Sequence, residues 1–152
     1  MLWVVRAIFL TVLLIFVGFL GLQLVQLVQF GDSVEGDALS ALLADRTFYG
    51  NYVSDGEPAD PWVEYYAADG RLSYREGDEQ SFGRWHVRDD MVCFQYDDEP
   101  GAGEYCFAVY RSESEIRLAV PVFFGLAQTK HVIGRYEVGN PENLPMSAPG
   151  TS

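Results

Sequence analysis

The stretch Phe82 to Tyr110, FGRWHVRDDMVCFQYDDEPGAGEYCFAVY, holds both cysteines and admits one strand pairing that places every side chain sensibly. Asp89-Asp90 forms a two-residue hairpin turn, which sets Val87 opposite Val92 and Trp85 opposite Phe94. Placing Cys93 opposite Cys106 across the next loop sets Val92 against Phe107 and Phe94 against Tyr105. A slip of one residue would turn the whole apolar face outward. In the aligned register the cysteines share the other face with Arg84, His86, Arg88, Gln95 and Glu104. Directly opposed strand residues come within disulfide reach, so a Cys93–Cys106 bond is expected. Two free thiols in a reducing compartment are the alternative.

Residues 1–30 contain no acid and a single base, Arg6. From Ala7 to Phe30 the run is apolar except for Thr11, Gln23, Gln26 and Gln29. It is long enough to cross a bilayer core, which takes ~20 residues. A signal peptide has a shorter apolar region and a small-residue cleavage site, so an uncleaved transmembrane anchor is the expectation. Arg6 precedes the apolar run, so the positive-inside bias puts the N-terminus in the cytoplasm. The rest would then lie across the membrane, held by one pass, on the side where a disulfide persists. Gly18, Gly21, Gln23 and Gln26 could pack against a partner membrane helix, or the glutamines could simply reach the headgroups.

Residues 31–45 read as a linker and one short helix. Leu39, Leu42 and Leu43 recur at helical spacing, and Asp37 stands where a cap would. From Arg46 the pattern alternates. RTFYGNYVS is a first strand with a bulge or bend at Gly50, and Asp55 to Pro61 is a loop. WVEYYA and RLSYR flank Ala68-Asp69-Gly70, a hairpin cue that would put Val63, Tyr65, Leu72 and Tyr74 on one face. EIRLAV and HVIGRYEV follow the cysteine hairpins. Residues 46–138 thus carry about eight short strands joined by hairpins. The expected fold is mainly β: a small antiparallel up-and-down barrel or half-barrel, preceded by a transmembrane helix and a short helix. Residues 139–152 lack periodicity and read as a disordered tail.

Strand alternation turns Tyr65, Tyr74, Trp85, Phe94, Tyr96, Tyr105 and Phe107 inward and Trp62 outward. A barrel of this size is either filled by side chains or hollow enough for one small ligand. Inward tyrosines leave the choice open, because each buried hydroxyl needs a partner. The formal charge is −12, which opposes nucleic acid and anionic lipid as partners and keeps the domain soluble.

Motifs for catalysis or cofactors are missing: the chain has no Gly-x-Ser-x-Gly, P-loop, dinucleotide fingerprint or His-Glu-x-x-His. His86 beside Cys93 would make a nucleophilic pair only if the thiol were free. His86 and His131 do not combine with the cysteines at zinc spacing, and no metal is expected. Asp97, Asp98, Glu99 and Glu104 crowd one loop without the ligand order of a calcium hand.

The segments Leu43–Gly50 (LADRTFYG), Trp62–Arg71 (WVEYYAADGR), Gly83-Arg84-Trp85 and the two cysteines carry a resemblance. Together, from Leu43 to Leu118, they resemble a loose class of uncharacterised secreted or membrane-anchored proteins of Gram-negative bacteria. The resemblance implies a secreted β-domain and brings no activity or catalytic residues. The reading at this level is a non-enzymatic periplasmic binding or accessory domain, without a cofactor, that holds a small apolar or amphipathic ligand among its aromatics. The alternatives are an accessory subunit of an inner-membrane complex, and a hydrolase whose site assembles only in the fold.

Overall fold

The structure is a computed structural model and describes residues 9–18, 21, 31–54, 56–99, 101, 103–121 and 127–147. Residues 9–18 form a helix, α1, and strand β1 (Asp32–Val34) and helix α2 (Gly36–Leu43) follow. The chain then runs as eight strands: β2 (Arg46–Ser54), β3 (Glu57–Tyr66), β4 (Arg71–Glu76), β5 (Glu79–Arg88), β6 (Met91–Tyr96), β7 (Tyr105–Arg111), β8 (Ile116–Pro121) and β9 (Ala127–Val138). Each pairs antiparallel with the next, and β9 returns to pair with β2. The result is a closed up-and-down barrel, which removes both sheet edges. β1 pairs with the last residues of β7, beyond the point where β6 begins.

The cysteine hairpins have the register expected of them. Val87 faces Val92, Trp85 faces Phe94, and Cys93 faces Cys106 with Val92 opposite Phe107. Asp89 and Asp90 both have positive φ, 50° and 59°, as a two-residue turn matched to strand twist requires. The Cys93–Cys106 disulfide is formed, with the Cα atoms 4.1 Å apart.

Several boundaries differ from expectation. β3 starts at Glu57, inside the stretch read as a loop, because it continues its pairing with β2. The extra residue of the Gly50 irregularity lies on β9, where Tyr49 pairs with Arg135 but Gly50 with Ile133. Glu35, not Asp37, is the N-cap residue of α2, and it makes no side-chain cap. The Gly36 N–H is met from outside the helix by Asp90 Oδ1 at 3.0 Å. That bond ties α2 to the β5–β6 turn. Leu39, Leu42 and Leu43 are buried and join the barrel core, so α2 stoppers this end.

The disordered tail expected from residue 139 is corrected in its described part. Residues 139–147 lie along the outer face of β2, β3 and β4. Thr47 Oγ1 donates to Gly139 O at 2.7 Å and Ser73 Oγ to Pro145 O at 2.5 Å. Arg75 pairs with Glu142 at 3.0 Å, and Leu144 is buried. Composition gave no periodicity here because the segment docks through its backbone carbonyls and one leucine.

All residues of α1 are exposed, among them Phe9, Leu14 and Ile15. Among the described residues no helix is long and apolar enough to cross a membrane. Gln23 and Gln26 lie outside the described residues; Gly18 and Gly21 are helical, with nothing within 4 Å of a would-be Cβ.

Candidate functional site: a pocket in one half of the barrel

The barrel is packed at one end and hollow at the other. Toward α2, Phe48, Tyr66, Leu72, Trp85, Val92 and Val109 fill the interior. Toward the opposite end, carrying the β6–β7 loop, a cavity of about 250 Å³ remains. It is lined by Tyr52, Trp62, Glu64, Tyr74, Phe94, Tyr96, Glu99, Tyr105, Phe107, Leu118 and His131. Five residues expected inside, Tyr74, Phe94, Tyr96, Tyr105 and Phe107, are thus brought together.

Two expected pocket residues are not. Tyr65 points outward, where its hydroxyl donates to Asp45 Oδ1 at 2.8 Å. The reason is the β3–β4 turn: three residues separate the paired Ala67 and Arg71, so Tyr66, not Tyr65, faces Leu72. That register sends Trp62, Glu64 and Tyr66 inward and Val63 and Tyr65 outward, which also corrects Trp62. Trp85 does face inward, but it is core below the pocket. Its Nε1 donates to Ala67 O at 2.9 Å and its ring lies 5.9 Å from Tyr66.

The aromatic rings form a belt. His131 and Trp62 meet at 5.6 Å, Trp62 and Tyr74 at 6.3 Å, Tyr74 and Tyr96 at 6.0 Å, and Tyr96 and Tyr105 at 6.4 Å. Gly50 makes room for this arrangement, since a Cβ there would come within 2.3 Å of the Trp62 ring. Phe107 meets His131 edge-on at 5.2 Å.

Glu64 is the polar centre of the pocket. It is 3 % exposed, yet its Oε2 accepts from Tyr66 at 2.7 Å and its Oε1 from Tyr96 at 2.9 Å. Burial pushes the Glu64 carboxyl up to about 7, against the pull of those two hydroxyls. His131 is shifted the other way, to about 4, by burial and by Lys130. Tyr52 and Tyr74 join hydroxyls at 2.9 Å, and Tyr74 donates onward to Glu76 at 2.6 Å. Two pocket atoms have no partner: Trp62 Nε1 and His131 Nδ1 are buried and make no hydrogen bond. Native interiors rarely leave such groups unmet, because each costs on the order of 1–3 kcal/mol.

The other clusters noted in the sequence have different fates. His86, Cys93 and Glu104 bring ligand-type atoms within 4.8 Å of one another, but the Cys93 sulfur is committed to the disulfide. Glu104 instead pairs with Arg88 at 2.7 Å over that disulfide. The acidic loop disperses: Asp98 accepts from Ser81 at 2.7 Å and Glu99 from Tyr105 at 2.7 Å. Glu64, Trp62 and His131 were missed. Strand alternation treats an acid as outward, and no sequence signal marks a carboxylate that two tyrosines will meet.

Comparisons with protein-family models, with curated proteins and with solved structures return no match. The pocket is therefore the ground on which function is read.

Proposed function

We propose that the chain is a non-enzymatic binding domain, anchored to the inner membrane by its N-terminal segment and facing the periplasm. It holds one small amphipathic ligand in the aromatic half of the barrel. The observation that carries this reading is the hollow itself, walled by aromatic rings with Glu64 and Glu99 among them. A ligand with polar and apolar parts would meet both the belt and these carboxylates. The disulfide and the exposed apolar surface of α1 support the location. The hydrolase reading finds less support. Among the described residues no Ser, Thr, Cys or Lys lines the pocket, and each Glu64 oxygen already accepts a tyrosine hydroxyl.

The test is tryptophan fluorescence of the full chain in a neutral maltoside detergent, titrated with small neutral, cationic and anionic amphiphiles. A saturable change is expected for at least one class. It should vanish in Trp62→Phe and survive in Trp85→Phe, because only Trp62 lines the pocket. No saturable change with any class would shift preference to an accessory subunit that works through its membrane helix.

A further inference from the structure

The pocket's chemistry narrows the class of ligand. We infer that it receives an organic cation, a small alkylammonium or quaternary ammonium compound, whose charge is met by Glu64 and the surrounding ring faces. The inference rests on the binding reading above.

Three observations converge. Glu64 is buried, and among the described residues it has no basic partner and no Lys or Arg lines the cavity. Both of its oxygens accept from phenols, the hydrogen-bonding pattern of an ionised carboxylate. A buried carboxylate without a counter-charge is costly, so the vacant role is that of a cation. The belt then supplies what a cation with little hydration prefers. Trp62, Tyr74, Tyr96 and Tyr105 follow one another at 6.0–6.4 Å, so a cation among them lies near several ring faces. Cation–π attraction acts within about 6 Å of a ring centroid and is strongest for tryptophan. Finally, a second carboxylate, Glu99, lines the same cavity, and the formal charge of −12 favours approach of cations over anions. At about 250 Å³ the cavity suits a compact ligand better than a long lipid tail.

The pH dependence follows from the groups that face Glu64. These are Tyr66 on β3, Tyr52 on β2, Tyr74 on β4, Tyr96 on β6, Tyr105 on β7, His131 on β9, and Glu99 in the β6–β7 loop. The tyrosines are all pushed up, and His131 is pushed down to about 4. Of these displaced groups, Glu64 alone changes charge near neutrality. Affinity for a fixed cation should therefore rise with pH below about 7, by up to about tenfold per unit, and level off above.

The experiment compares choline with its uncharged isostere 3,3-dimethylbutan-1-ol and with the anion hexanoate, on the full chain by calorimetry and Trp62 fluorescence. Choline is expected to bind at least tenfold more tightly than the alcohol, to lose that advantage in Glu64→Gln, and to show the pH rise. The pH profile and the choline-to-alcohol ratio are read on the native chain, so they stand even if Glu64→Gln folds poorly. Equal or tighter binding of the alcohol or hexanoate would overturn the cation assignment and leave the binding reading intact. Absence of binding by all three would overturn both.

Discussion

Glu64 occupies a position that strand alternation reserves for an apolar side chain, and its ionisation therefore opposes folding. In the unfolded chain such a carboxyl releases its proton near 4.5, whereas the folded protein holds it to about 7. Between these values the folded state binds more protons, so stability falls as pH rises through this window. A displacement of that size corresponds to about 3 kcal/mol. Urea midpoints at pH 5 and pH 8 should differ more for the native chain than for Glu64→Gln, which has no proton to release. Equal pH dependence in the two proteins would mean that Glu64 ionises freely in the fold. The same residue shows the limit of sequence reading. Its partners Tyr66 and Tyr96 are tyrosines in plain view, but nothing local says that their hydroxyls converge on one acid.

The β5–β6–β7 hairpins are legible at the scale of elements because each constraint is local. Two aspartates accept positive φ, apolar residues face apolar residues, and the cysteines fall opposite each other. The disulfide links residues 13 apart, and closing such a loop stabilises the fold by roughly 3 kcal/mol in the chain-entropy model. Cys93→Ser and Cys106→Ser should each lower the unfolding free energy by a similar amount, read from urea curves with and without reductant. Unequal losses would show that packing of the fully buried Cys93, not the cross-link, dominates. The β3–β4 faces differ from expectation by one residue: the three-residue turn Ala68-Asp69-Gly70 pairs Tyr66 with Leu72 and Tyr65 with Ser73, so Val63 and Tyr65 do not share the face of Leu72 and Tyr74. One residue was enough to exchange the roles of Trp62 and Tyr65.

The whole molecule is a closed barrel, stoppered by α2 at one end and hollow at the other, behind an apolar N-terminal stretch. The proposed location is testable on the intact chain. Alkaline phosphatase fused after Ser152 should be active in a bacterial host, and the fusion should sediment with membranes. An inactive fusion, or release without detergent, would overturn the anchored periplasmic arrangement. Packing density decides the division between filled and hollow halves. The leucines of α2 add volume on one side, and among the described residues no helix adds it on the other.

The sequence by itself determined the eight barrel strands, their up-and-down order, the cysteine pairing and the short leucine helix, but not β1, which lies in the stretch read as a linker. All of these follow from period-two patterning, turn chemistry and residues near one another in the chain. The tertiary structure alone decided that two tyrosine hydroxyls converge on one buried acid and that residues 139–147 dock on the outer wall. Those outcomes depend on contacts such as Tyr96 to Glu64, 32 residues apart, and Ser73 to Pro145, 72 apart. Such contacts exist only once the barrel has closed, so no local rule can anticipate them.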